Sequence, residues 1–344
     1  MRSDRLRNAS LFTLLALVWG TSYPAIEVGL RSLPPMLFAA LRYDVASAVL
    51  FGYVLVAGRR RWPATRAEWR SVAIGGVLLI GLHFAFAFLG QAYVSSAISA
   101  VILSLTPVVT PAFAVPLLRE RLSPPAIGGI VLALCGVAVV ANPTGALDGR
   151  LIGVGLLFCS AVAFAVGSVL SARFDTLLPL STAQAWTTLI GAGVLHLLSG
   201  LFEPSPAAVL AVGPGPSIDA LLALGYLAIA ASAGGFVLYF DLLHELGPSE
   251  VSLVSYLTPI VAAVTGWLAF GEAITGTTVL GFCVIAAGFS LVELRPLHGL
   301  LTRRRRHAVA RRYTDSYTVA VAGNRYYKRE RGSSAGTTAT PGGA

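Results

Sequence analysis

The sequence predicts an all-α integral membrane protein of ten transmembrane helices arranged as two inverted five-helix repeats. Three observations predict it. Of 344 residues, 56% are hydrophobic and 12% charged, with a mean hydropathy of +0.76, whereas a soluble domain carries roughly 25% charged residues. Ten apolar runs succeed one another, each near the 20 residues that a rise of about 1.5 Å per residue needs to cross a hydrocarbon core roughly 30 Å thick. Finally, Leu105, Thr106, Pro107, Val109, Glu120, Gly129 and Gly136 recur 152 positions later as Leu257, Thr258, Pro259, Val261, Glu272, Gly281 and Gly288. An odd number of spans per half, five, makes the second half run in the opposite sense.

The runs cover 10–30, 34–57, 71–90, 94–118, 124–141, 151–172, 181–201, 218–242, 249–270 and 275–294, joined by short connections rich in Pro, Gly or Arg. The first follows Arg2, Arg5 and Arg7. It has the flanks of a signal peptide, but Thr21 to Pro24 is a poor cleavage site and nine spans follow, so it is expected to be retained. The second carries Arg42 and Asp44 inside the apolar run, and the third carries His83 and ends on Gln91 and Tyr93. The fourth and ninth hold Pro107 and Pro259 near their middles. Ser123 and Thr275 precede the fifth and tenth as caps. Small residues four apart, Gly129 with Ala133 and Ala163 with Gly167, allow close helix packing in the fifth and sixth and leave homodimerisation open. Trp186 in the seventh, with Trp62, Trp69 and Trp267, falls at a water interface, as an aromatic belt requires. The eighth ends in Phe236, Tyr239, Phe240, Asp241 and His244. Cys135, Cys159 and Cys283 stand singly in apolar runs and read as packing residues, with no disulfide framework or metal site.

The formal charge of +9 lies wholly in the last segment. Residues 1–294 hold 14 Arg and 14 acidic residues, while 295–344 hold 11 Lys or Arg against Asp315 and Glu330. The core therefore offers no basic footprint for nucleic acid. Arg and Lys collect on one side of the membrane, leaving only Arg31 and Arg150 on the other, which places both termini in the cytoplasm. The tail lacks an apolar period and is expected to be mostly disordered. Its run Arg303–Arg306 follows the last span closely enough to orient it and to touch anionic lipid.

Trp19-Gly20-Thr21-Ser22-Tyr23, Ala40-Leu41-Arg42-Tyr43, Leu105-Thr106-Pro107-Val108 before Arg119-Glu120-Arg121-Leu122, and Tyr256-Leu257-Thr258-Pro259 before Phe270-Gly271-Glu272 resemble the EamA-type drug/metabolite transporters. The resemblance spans about 10–294, and one departure is Arg119, where the family usually has a glycine like Gly271. It implies two repeats, 10–142 and 150–294, followed by the tail 295–344, and movement of a small metabolite across the cytoplasmic membrane by alternating access. It leaves the solute open among amino acids, sugars, nucleotide derivatives and drugs.

Broken helices at matching places in two halves point to a midplane solute site, so Thr106, Pro107, Thr258 and Pro259 are cavity candidates. The alternative is that these prolines only shape packing. Trp19, roughly 13 Å into the first helix, joins Thr21, Tyr23 and Tyr239 as candidates; filling an interhelical gap is the alternative for the indole. Arg42 and Asp44 lie roughly 12 and 15 Å below the outer end of the second span. Charge at that depth faces a cavity or a partner, which predicts a Glu27–Arg42 pair at the outer gate, unless the arginine reaches headgroups. Asp44 and His83 share a depth, where a proton relay could couple transport, unless His83 is a satisfied core residue. Glu120 and Glu272, at the ends of their helices, are expected to act structurally, in capping or gating.

No HExxH, GxSxG, P-loop or paired-carboxylate motif is present, so neither an enzyme nor a metal or other cofactor is expected. A passive channel remains the rival reading. Against it, the scattered ionisable groups lack the repeated rings that a selective pore needs.

Overall fold

Apolar segments in lipid close as helices because every backbone N–H and C=O must find its partner within the segment. The computed structural model describes residues 2–118, 122–142, 148–174, 177–205, 215–292, 318–321 and 324–327. Nine helices among them are long and apolar enough to span: α1 Leu6–Leu30, α2 Pro35–Val56, α3 Arg66–Gln91, α4 Ser96–Leu117, α5 Pro124–Ala141, α6 Gly149–Ser171, α7 Leu180–Phe202, α8 Ile218–Leu243 and α9 Glu250–Phe270. A tenth, α10, Gly276–Val292, is apolar and shorter. Leu14, Val131, Leu197, Leu222 and Leu268 point outward from five of them, as lipid-facing side chains do. Cys135, Cys159 and Cys283 are also outward-facing rather than packed inside.

Local chemistry sets the boundaries. Helix α3 starts at Arg66, earlier than the apolar run, because Thr65 and Glu68 form a capping box. Glu68 also accepts from the Ala64 N–H and pairs with Arg60. Ser123 accepts from the Ala126 N–H at the start of α5, and Thr275 from the Thr278 N–H at the start of α10. Gly271, at φ +66°, ends α9 in the left-handed conformation that glycine adopts without steric cost.

The repeat is visible in the packing. Helix α1 packs on α8 and α9, as α6 packs on α3 and α4; α2 packs on α8, as α7 packs on α3. Equivalent helices cross each other antiparallel. Glu203, after α7, accepts from the Met36 and Leu37 N–H groups at the start of α2, and Thr182, early in α7, donates to the Arg60 carbonyl beyond the end of α2. At the α5–α10 crossing Gly129 faces Gly288 and Gly136 faces Gly281, so close that a Cβ on any of them would strike the opposite backbone. These four glycines are the repeat partners read from the sequence, each meeting the equivalent of the other. That is the contact pattern of a twofold axis between inverted halves.

Departures from regular α-helix occur in both halves, and the π-helical ones match. Helices α3 and α8 each contain a stretch of π-helix, Gly75–Leu82 and Tyr226–Gly234, one residue from coincidence at the offset of 152. Helix α4 is interrupted at Ser104 and Leu105, and α9 at Leu253. Gly129 and Ala133 are engaged by α10, and Gly167 by Leu78 and Leu79 of α3, so these small-residue faces serve packing within the chain.

The segment Arg295–Ala344 forms a separate unit. Within it Thr318–Val321 and Asn324–Tyr327 pair as antiparallel strands, β1 and β2, which the composition of the tail does not suggest. Arg303–Arg306 lies outside the described residues, as does Glu120.

Candidate functional site

The sequence candidates fall into four groups. The first joins α1 to the π-helical stretch of α8. Widening a helix turn frees carbonyls that a neighbour can use, and here Trp19 Nε1 donates to the Ala231 carbonyl at 3.1 Å. The indole lies 5.5 Å from the ring of Tyr239. Thr21 Oγ1 and the Tyr226 hydroxyl are 2.5 Å apart, and that hydroxyl also meets the Val18 carbonyl at 2.9 Å. On the opposite flank, Gln91 Nε2 donates to the Tyr23 carbonyl at 2.6 Å. Trp19 and Thr21 therefore bind helix to helix with their polar atoms.

The second group is the pair of proline breaks. Thr106 Oγ1 donates to the Leu103 carbonyl at 2.7 Å and Thr258 Oγ1 to the Val254 carbonyl at 2.9 Å. Both hydroxyls turn back onto their own helices, the usual resting place for such groups. Pro107 sits at the start of the second piece of α4, where its missing N–H costs nothing, whereas Pro259 lies within a continuous stretch of α9.

The third group lies where α1, α4 and the α9–α10 connection meet, and it corrects the sequence expectation for Glu27. Its Oε1 accepts from Arg31 Nη2 at 3.0 Å and its Oε2 from Ser96 Oγ at 3.2 Å. Arg42 takes no part. The i, i+4 spacing puts Arg31 one turn away on the same helix face, nearer than any residue of α2. Arg31 also stands over the Phe270 ring. Glu272 Oε1 accepts the Ser96 N–H at 2.9 Å, so this carboxyl caps α4, while Oε2 is buried with no donor. Burial, reinforced by the adjoining Glu27 carboxyl, pushes Glu272 up to about 7. Both effects favour the protonated form of Glu272, in which a hydrogen sits on the pair of oxygens that includes the orphaned one.

The fourth group corrects the expected relay. Asp44 Oδ2 lies 2.7 Å from His196 Nε2, both side chains 43% exposed. His83 is buried and bonds instead to Ser160, 2.7 Å from its hydroxyl and 3.1 Å from its carbonyl. The antiparallel α2–α7 crossing explains the exchange, because Asp44 and His196 are themselves one repeat offset apart and meet on the axis. Arg42 turns the other way along α2, into the core. It is 5% exposed, its Nε donates to Ser232 Oγ at 2.9 Å, and its guanidinium lies 5.1, 5.2 and 5.9 Å from the rings of Tyr43, Phe84 and Phe88.

His196, Ser232, Ser160 and Ser96 escape sequence reasoning. For His196 the signal was available: an ionisable group in an apolar run, the rule that singles out Asp44. The serines carry no such mark, since serine is common in membrane helices. Among the described residues no group of three or more His, Cys, Asp and Glu is placed to hold a metal ion.

The model of the EamA-like transporter family matches residues 7–142 and 151–294, the two halves related by the axis. The chain belongs to that family. It is 27% identical to the inner membrane transporter YedA of Escherichia coli K12 over 83% of this chain and 90% of that one. It is also 27% identical to a probable amino-acid metabolite efflux pump of Salmonella typhimurium, over 82% and 93%. A solved crystal structure at 24% identity superposes with a TM-score of 0.57 and covers 84% of this chain and 98% of its own, which shows the shared fold. Family membership agrees with the inverted packing: EamA relatives bear the names of transporters and efflux pumps, not of enzymes.

Proposed function

We propose that this chain is a secondary carrier that moves a small metabolite, an amino acid or related solute, outward across the cytoplasmic membrane by alternating access. The observation that carries the reading is the π-helical stretch that recurs at the same place in the equivalent helices α3 and α8 of antiparallel halves, with breaks also in the equivalent helices α4 and α9. Such a pair supplies two arrangements of equal backbone and opposite facing, which a carrier needs. The halves 10–142 and 150–294 rock against each other, α10 completes the ten spans, and both termini stay in the cytoplasm on the strength of the Arg distribution. The solute class follows the amino-acid metabolite efflux pump among the relatives. Anionic lipid meets the basic tail.

Coupling to protons is placed at Glu27 and Glu272 rather than at Asp44 and His83. The carboxyls join α1 and α4 to the end of α9 through Ser96, so loss of their proton loosens one seam between the halves. The facing ionisable groups are Glu27 and Arg31 on α1; α4 contributes Ser96.

Comparison of metabolites inside and outside cells that overproduce or lack the protein supplies solutes for reconstitution. Counterflow in liposomes is the expected result, since a carrier shows trans-stimulation and a channel does not. If no solute changes and no counterflow occurs, the carrier reading falls.

A further inference from the structure

Arg42 is a cation that cannot shed its proton, held inside an apolar helix. Ionised groups at such depth are paired or face a water-filled path. Among the described residues no carboxylate lies within 4.0 Å of it, and its single protein hydrogen bond uses Nε alone. The two Nη groups, with four N–H donors between them, are neither bonded nor sealed among the buried orphans. The side chain as a whole is 5% exposed. Around them stand the rings of Tyr43 and Phe84 and the edge of Phe88. The Tyr43 hydroxyl is buried and makes no hydrogen bond that meets normal geometry.

We infer that Arg42 binds a carboxylate of the transported solute, with Ser232 holding the guanidinium by Nε so that the Nη fork points into the path. The inference rests on the carrier reading and adds the chemistry of its site. Three details favour a planar oxyanion. A fixed guanidinium offers parallel N–H donors matched to two carboxylate oxygens. Flanking π faces accept the flat or apolar part of a small acid. The buried Tyr43 hydroxyl is a further donor on the same residue whose ring flanks the guanidinium. Ser232 belongs to the π-helical stretch of α8, so a change in that stretch swings the fork, linking occupancy of the site to the helix that differs most from regular geometry.

The test uses the full chain in nanodiscs with benzoate as probe and benzamide as its neutral twin. Benzoate is expected to raise the unfolding temperature, with an apparent affinity about tenfold or more above that of benzamide, as for an ionic contact worth at least one decade. Arg42→Gln should erase the discrimination. Arg42→Lys, which keeps charge and loses the fork, should weaken it several-fold and serves if the glutamine variant does not fold. Equal response to benzoate and benzamide, or discrimination unchanged in both variants, overturns the inference. Exchanging anionic for zwitterionic lipid should leave the benzoate response unaltered; a response present only without anionic lipid would make the ligand a headgroup and overturn it too. Counterflow in the same preparation separates the two readings, because a chain that counterflows solutes without discriminating benzoate remains a carrier with no carboxylate site.

Discussion

The two halves of the chain share a scaffold and divide the chemistry unequally. At an offset of 152 the crossing glycines pair off, the π-helical stretches fall within one residue of each other and each half packs on the other in the same way. Yet Glu27, Arg42 and His83 of the first half have Pro179, Val194 and Gly235 as counterparts in the second. The second half answers with partners of its own, Ser232 for Arg42 and Glu272 for Glu27. Symmetry therefore builds the scaffold, and asymmetry sets the polar chemistry placed on it. The charges are handled by different means: Glu272 is held toward its protonated form beside Glu27, while Arg42 is wrapped in aromatic faces.

The largest effect should come from breaking the scaffold. Gly129→Val places a branched side chain against the Gly288 carbonyl, and Gly281→Val, the counterpart, places one against Val140 and the Gly136 carbonyl. Overpacking against backbone has no flexible neighbour to give way, so each should cost about 3 kcal/mol or more and remove most of the monodisperse protein from size-exclusion profiles. Equal damage at both positions is the mark of the axis. Severe loss for one with a normal profile for the other would show that the crossing is not shared.

Next comes the unequal chemistry. Glu272 is held above the ordinary carboxyl range, up to about 7, so its contribution is present in full at acid pH and is lost as pH rises through about 7. Thermal unfolding of the parent protein should accordingly drop across that interval. Glu272→Gln keeps an oxygen for the Ser96 N–H and a donor for Glu27, imitating the protonated form, and should flatten the drop and the pH response of transport together. An unchanged pH response in both measurements would remove the Glu272 proton from the mechanism.

A smaller loss is expected at Trp19. Phenylalanine keeps the packing on Tyr239 but leaves the Ala231 carbonyl without its donor, a change of about 1 to 3 kcal/mol to be read in chemical or thermal unfolding. Transport of any established solute should survive, because the indole N–H is bound to α8 rather than offered to a path. Loss of transport at unchanged stability would return Trp19 to the solute site.

How much of this the sequence carries depends on the length scale of the cause. Helix number, spans and the inverted repeat follow from hydropathy and from ordered landmarks, which single residues fix without reference to neighbours. Caps at Ser123 and Thr275 are equally local. Partners are not. Glu27 with Arg31 could be read from i, i+4 spacing, but Glu27 with Glu272 depends on a fold that brings positions hundreds of residues apart to one serine. The π-helical stretches leave no mark in composition, because Gly75–Leu82 is apolar like its surroundings. Asp44 with His196 lies between these limits: the offset of 152 that reveals the repeat also pairs these two, once the α2–α7 crossing is recognised as a crossing of equivalents.

That pair gives the smallest effect and the finest test of the comparison. Among the described residues Asp44 and His196 are equivalent positions that hold an acid and an imidazole and meet on the axis, so they could be taken as the coupling device. Their exposure argues otherwise. Both side chains are 43% exposed, so neither is sealed inside the fold, and neither belongs to the seam at Ser96. Asp44→Asn and His196→Gln should each retain the pH response of transport, while Glu272→Gln loses it. A pH response abolished by either axis substitution would move the proton-linked step from the asymmetric seam at Ser96 to the symmetry axis itself.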